Sequence, residues 1–298
     1  MWGRQHAAVP LGVVDVGSNT VRLLVAEHGK PVLSLRESAG LGAYIERDGV
    51  IPAAKLAETA LHVRHFVDAA TQAGASDVEV LITSPGRQAA NGAELRDAIA
   101  ERTTAPVRIL SAQEEGRLAF IGALDSVHLP SRRRVAVVDV GGGSSQIVVG
   151  SGREGIRWTG TIDLGSRRLT SRLLSRNPPT NGDLAAARAE VDQLLAGLDL
   201  PDVRSVLVVG GSARALKRLV GGRLGREELD YALGLLVHTT AADLIDHYDV
   251  NPARAEILPA GATILAAVRD RLDTPLRVVR TGLREGAVGE LSARRQAA

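Results

Sequence analysis

An aspartate followed by a glycine-rich turn occurs twice in this sequence, each time at the end of a valine-rich run. Residues 13–20 read VVDVGSNT and residues 137–144 read VVDVGGGS, so Asp139 repeats Asp15. A carboxylate where a buried strand ends projects at the strand's mouth. Small residues after it let backbone N–H groups point at a ligand, and glycine adopts the tight turn's dihedral angles. Such turns bind phosphate oxygens, and paired carboxylates hold a hydrated Mg²⁺ that the phosphates also touch. One copy is weak evidence; two facing copies would form a clamp. The commoner phosphate motifs fail: there is no G-x-x-x-x-G-K-[ST], and GGGSSQ puts Gln146 where G-x-G-x-x-G needs its last glycine.

A second stretch, SAQEEGRLAF, offers two carboxylates. Ser111 followed by Glu114 fits a capping box, which makes Glu114 structural. Glu115 is the next residue round the helix and faces elsewhere. Read from the residues alone, Glu115 is a solvated helix residue and Arg87, in TSPGRQA, is a surface arginine on a loop. His62 and His65 can share a helix face but have no third ligand nearby in sequence, so no metal pattern follows from them. No Ser-His-Asp constellation can be argued.

The elements that must position these residues alternate between short strands and amphipathic helices. Strands are predicted at 11–16, 21–27, 31–36, 78–83, 107–110, 135–140, 145–149, 156–162, 205–209 and 276–280. Helices are predicted at 52–73, 91–102, 112–124, 165–175, 182–196, 212–220, 226–246, 252–270 and 284–294. In the first of these helices Leu56, Ala60, Val63, Val67 and Ala70 keep the helical spacing. Alternation of this kind argues for α/β architecture. A length of 298 residues suits two domains. The boundary is expected in SVHLPSRRR, residues 126–134, giving domains 1–127 and 128–298, with the last helix packing back on the first domain.

Apolar residues make up 45% and charged residues 23%, the balance of a globular chain. Arginine supplies nearly all the positive charge, since the only lysines are Lys30, Lys55 and Lys217. The net charge of +2 and aromatic content of 2% give no argument for nucleic acid. No apolar run reaches the roughly 18 residues of a membrane span. The N-terminus lacks the long apolar centre of a signal peptide, and there is no cysteine, so a cytoplasmic protein is expected.

The strings DVGSNTVRLLV, TSPGRQAAN, SAQEEGRLAFIGAL, VVDVGGGSSQIVV, DLGSRRLT, VVGGSARAL, ILPAGATIL and GLREG occur in this order. Together they resemble the exopolyphosphatase and guanosine pentaphosphate phosphohydrolase family over almost the whole chain, in its short two-domain form. The resemblance implies two actin-like α/β domains with a cleft between them, as in sugar kinases and heat-shock chaperones. It also implies roles. Asp15 and Asp139 would hold Mg²⁺ or Mn²⁺, and Gly17, Ser18, Asn19, Gly141, Gly142, Gly143 and Ser144 would cradle phosphates. Arg87 would reach into the cleft, with Arg22 and Arg168 as further anion contacts, and Glu115 would orient and deprotonate the attacking water. Gln146 stands where the family carries a glutamate that helps hold metal or water. That leaves three readings open: a slower enzyme, a substitute carboxylate, or a site that binds without hydrolysing.

The function so implied is Mg²⁺-dependent release of terminal phosphate from inorganic polyphosphate. Guanosine pentaphosphate hydrolysis is an alternative, as is a weakly active or non-catalytic binder of polyphosphate or guanosine tetraphosphate. A small-molecule kinase is a fourth reading, because VLVVGGSARAL resembles an adenosine-binding segment. By the same resemblance a homodimer is expected.

Overall fold

A computed structural model describes residues 9–297, so the stretch read for a targeting signal begins outside the described residues. The first half runs β1 (Leu11–Val16), β2 (Thr20–Glu27), β3 (Lys30–Ser38), α1 (Leu41–Asp48), α2 (Ala53–Gln72), β4 (Asp77–Ile82), α3 (Ser84–Gln88), α4 (Gly92–Ala100), β5 (Val107–Ile109) and α5 (Ala112–Asp125). The second opens with β6 (Val135–Val140), β7 (Ser145–Ser151), β8 (Gly155–Ile162), α6 (Ser166–Leu173), α7 (Asn181–Ala196), β9 (Ser205–Val209) and α8 (Gly211–Val220). It closes with α9 (Arg226–Leu236), α10 (Ala241–Tyr248), α11 (Pro252–Ala255), α12 (Leu258–Leu272), β10 (Leu276–Val278) and α13 (Leu283–Ala297).

Each half builds a five-stranded sheet of the same order, β3-β2-β1-β4-β5 and β10-β9-β6-β7-β8. In both, a central strand pairs antiparallel with its successor and parallel with a later strand. Central strands covered on both faces should be continuously apolar, and β1 and β6 are: each is LGVVDV or VAVVDV with only the aspartate left partly open. This is the doubled α/β architecture of the actin-like fold.

Two helices cross between the halves. The apolar face of α5, Ala119, Phe120 and Ala123, packs on Val135, Val137, Val148 and Leu207 of the second sheet. In exchange, Leu283, Ala287 and Val288 of α13 pack on Leu11, Val13, Leu24 and Leu81 of the first. Dividing the chain at residue 127 therefore assigns α5 to one half by sequence while its side chains complete the other. The outer faces are covered conventionally, by α2 and α4 on the first sheet and by α8 and α12 on the second, with α7 and α9 packed on α12.

Three local departures from the sequence reading have physical causes. The helix expected at 226–246 is two, because Thr240 starts a new one with a capping box to Asp243. The helix expected at 252–270 is interrupted at Ile257, and Pro259 sits at the start of the new segment. The helix α1 was not expected; it is short and bounded by Gly40 and Gly49, both at positive φ. Among the described residues no helix is long and apolar enough to cross a membrane.

At the crossing of α5 with α13 the backbones touch. A Cβ on Gly122 would meet the Gly282 carbonyl, and one on Gly286 would meet the Leu118 carbonyl. Alanine normally stabilises a helix interior relative to glycine by about 1 kcal/mol, but here it must push two helices apart. Gly286→Ala is therefore expected to destabilise the protein by about 1–3 kcal/mol, read as a lower denaturant midpoint; a gain in stability would show the crossing to be loose.

Candidate active site between the two glycine loops

The two loops repeat each other in hydrogen bonding as well as in sequence. Gly17 N–H donates to the Thr20 carbonyl at 3.0 Å, and Gly141 N–H donates to the Ser144 carbonyl at 3.0 Å. At Gly141 a Cβ would stand 2.8 Å from that carbonyl oxygen, so the second turn closes this way only with glycine. The loops face each other directly, since a Cβ on Gly142 would lie 3.1 Å from that of Ser18. Ser18 is fixed by a 2.7 Å hydrogen bond between its Oγ and that of Ser84.

Register places the charged residues. Asp15 lies opposite Arg22 across the β1–β2 pair, and Asp139 lies opposite Gln146 across the β6–β7 pair. The duplicated scaffold thus sets an arginine beside one aspartate and an amide beside the other. Between the loops is a cleft of about 110 Å³, lined by Asp15, Asp139 and Glu115 together with Arg22, Arg214, Arg254 and Arg284. With Glu285 and Arg280, four acidic residues and five arginines border this space. Among the described residues, neither the Asp15 nor the Asp139 carboxylate accepts a hydrogen bond from the protein, though both backbones sit in paired strands.

The low-dielectric setting moves the ionisation of these groups. Burial pushes Glu115 up to about 7, against the pull of Arg87 and with a further push from Asp139. Burial, then the neighbouring Asp15, raises Asp139 to about 6, and burial raises Asp15 as well. Burial lowers Arg22 to about 10 and Arg254 to about 9.

Glu115 sits in the first turn of α5, whose N-terminus has the expected capping box: Ser111 Oγ accepts from Glu114 N–H at 3.1 Å, and Glu114 Oε2 accepts from Ser111 N–H at 2.9 Å. That box directs Glu114 outward and leaves Glu115, only 7% exposed, turned to the cleft. Arg87, on α3, donates to Glu115 Oε2 at 2.7 Å, to the Leu110 carbonyl at 2.7 Å and to Ser144 Oγ at 3.3 Å. Gln146 Nε2 donates to the same Ser144 Oγ at 2.9 Å, while its Oε1 is buried without a partner among the described residues.

Of the residues singled out in sequence, Asp15, Gly17, Ser18, Asn19, Arg22, Glu115, Asp139, Gly141 and Gly142 line the cleft. Arg87, Ser144 and Gln146 form a hydrogen-bonded layer behind it, and the Gly143 carbonyl accepts from Gln88 Nε2 at 3.1 Å. Arg168 is elsewhere, contrary to its expected place at the anion site. Its guanidinium pairs with Glu46 at 2.6 Å and Asp163 at 2.5 Å, clasping α6 to α1 across the halves. Its neighbour Arg167 turns the other way and donates to Asn19 Oδ1 at 2.5 Å. Sequence reasoning passed over Arg214, Arg254 and Arg284. Arg214 and Arg284 lie in the strings SARAL and GLREG, and Arg254 directly precedes AEILPAG, but nothing in an arginine-rich chain marks them out.

Asp139 ionises higher in the fold than its ordinary 3.8, so its charge opposes folding. The sign follows: below about pH 4 it is protonated in both states and costs nothing, and stability is lost as pH rises towards about 6. In metal-free buffer Asp139→Asn should therefore be more stable than wild type by about 1–3 kcal/mol near pH 7.5, with the difference vanishing near pH 4. Denaturant melts at the two pH values measure this; an unstable variant at neutral pH would contradict it.

The geometry has counterparts in known proteins. Exopolyphosphatase 1 of Mycobacterium tuberculosis is 28% identical over 305 residues, spanning 93% of this chain and 87% of that protein. The solved Ppx/GppA family member of Aquifex aeolicus has a TM-score of 0.82 at 23% identity, covering 96% of this chain and 98% of that one. An exopolyphosphatase of Cytophaga hutchinsonii has a TM-score of 0.86 at 19% identity, covering 96% and 98%. These structural likenesses show the shared fold. The model of the Ppx/GppA phosphatase family matches residues 21–294, which runs from β2 through the Glu115 helix, the second glycine loop and the whole second sheet. This chain belongs to the Ppx/GppA phosphatase family.

Proposed function

We propose that this chain hydrolyses the terminal phosphoanhydride bond of inorganic polyphosphate. The observation that carries the reading is Glu115, a buried carboxylate pushed up to about 7, set in a cleft between two phosphate-type turns and five arginines. A general base works best when its pKa lies near the working pH. The relatives named as exopolyphosphatases support the choice of polyphosphate.

The chain's own residues divide the work. The N–H groups of the two loops and the cleft arginines hold the terminal phosphate and offset charge that builds on its oxygens. Glu115 accepts the proton of the attacking water, and Arg87 both aims its carboxylate and keeps its pKa from rising further. The donor set fits a hard divalent cation, because Asp15 and Asp139 present oxygens with no protein donor upon them. Mg²⁺ is commonly held by one or two carboxylates and completed by water and substrate phosphates. Bound by Asp15 and Asp139, Mg²⁺ or Mn²⁺ would neutralise charge on the phosphate oxygens.

Phosphate release from polyphosphate, with Mg²⁺ and with chelator, tests the reading directly. Activity should require the metal and rise with pH through about 7 as Glu115 loses its proton. Glu115→Gln should lower kcat by about 10²–10⁴-fold, and Arg87→Ala should move the rise to higher pH. A Glu115→Gln enzyme with unchanged kcat would remove the assigned base.

A second reading, a binder of the same polyanions with little or no turnover, is favoured by Gln146. Its neutral amide is spent on Ser144 and leaves an unpaired buried oxygen where a charged group would draw metal or water. If the site is attenuated in this way, Gln146→Glu should increase phosphate release severalfold or more. A wild-type rate of the usual size, about 1 s⁻¹ or above, would discard the binder.

A further inference from the structure

Beside the cleft lies a second cavity of about 230 Å³, bounded by Arg22, Arg36, Arg214, Arg218 and Arg254, with Asp249 the one carboxylate at its rim. It shares Arg22, Gly211, Arg214 and Arg254 with the cleft, so the two spaces adjoin. Arg254 is 8% exposed and its guanidinium lies against the backbone of Gly211 at the start of α8, where a Cβ would collide with it. Among the described residues no carboxylate or carbonyl accepts a hydrogen bond from that guanidinium, and its charge is pressed further by Arg22 and Arg36. A buried cation without a partner is costly, and this one opens onto a space walled by more of its own kind.

The arginines are ordered as well as numerous. Arg22 and Arg36 are direct partners across the β2–β3 pair, which sets their Cβ atoms about 5 Å apart. Arg214 and Arg218 are one turn apart on α8, about 5–6 Å between Cβ atoms. Each pair starts at a residue lining the cleft and ends at one outside it. Only partial partners hold the outer members: Arg36 donates to Asn251 Oδ1 at 3.0 Å, and Arg218 to Asp249 Oδ2 at 3.0 Å, an aspartate side chain 93% exposed. A lone phosphate could engage one pair at one end; two rows leading away in step suit an anion that repeats its charge along a line.

We propose that Arg36 and Arg218 extend the cleft into a second anion subsite that takes the phosphates of a linear polyphosphate following the reacting one. The identity of the ligand rests on the function proposed above; the subsite itself rests on the cavity and its arginines. Chains long enough to reach the outer pair gain contacts that shorter ones lack, so the site selects by length.

Both outer arginines are exposed, so their removal leaves the core intact. The test compares wild type, Arg36→Ala/Arg218→Ala and a control, Arg64→Ala/Arg96→Ala, which removes the same charge from α2 and α4. At fixed ionic strength the first double variant should lose roughly tenfold or more in kcat/KM on long-chain polyphosphate, through KM. Its loss on tripolyphosphate should be several times smaller. Equal losses on the two substrates, or a loss matched by the control, would overturn the subsite. If wild type releases phosphate from neither substrate, the hydrolase reading is what fails. Calorimetric binding of long-chain polyphosphate then decides the subsite: about tenfold weaker binding in the first variant alone supports it, and equal affinity in all three proteins refutes it.

Discussion

Two like-charged carboxylates, one at the end of each sheet's central strand, are the constraint on which the rest of this molecule depends. Asp15 and Asp139 each resist ionisation, and Asp139 does so partly because of Asp15. Left to themselves they would drive the halves apart. The arginines of the cleft offset them, yet those cations are themselves buried and oppose one another. Neither set satisfies the other, and groups so perturbed by burial and by one another are typical of a functional site.

Closure is held by contacts that lie outside the chemistry. Arg168 clasps Glu46 and Asp163, Arg167 holds Asn19, and Gln88 bridges to Gly143 and Asp163. Each joins one half to the other near the mouth of the cleft. The loops can then remain small and rich in glycine, because helices and ion pairs behind them keep the two turns face to face.

Much of this was legible in the sequence, and the exceptions have reasons. The duplicated VVDVG gave away both central strands and both turns, since apolar runs ending in aspartate and glycine have few other uses. The capping box of Ser111 and Glu114 could be read outright, but the residues alone left Glu115 on a solvated face, because only the packing of α5 against the second sheet turns it to the cleft. The register that sets Arg22 beside Asp15 and Gln146 beside Asp139 follows once the hairpins are seen. Arg168 was misplaced because adjacent helical residues point about 100° apart, and nothing in DLGSRRLT says which arginine faces the loop. Arg214, Arg254 and Arg284 come from three distant segments, and only the tertiary fold brings them to one wall.

The exchange of α5 and α13 makes the duplicated halves dependent on one another. A polypeptide cut between residues 127 and 128 would yield two fragments, each with an apolar sheet face stripped of its cover: Leu11, Val13 and Leu24 in one, Val135, Val137 and Val148 in the other once α5 is gone. Neither fragment is an autonomous folding unit, despite the symmetry of their topologies. The sequence repeats one module, but each copy needs a helix from the other half to cover its sheet.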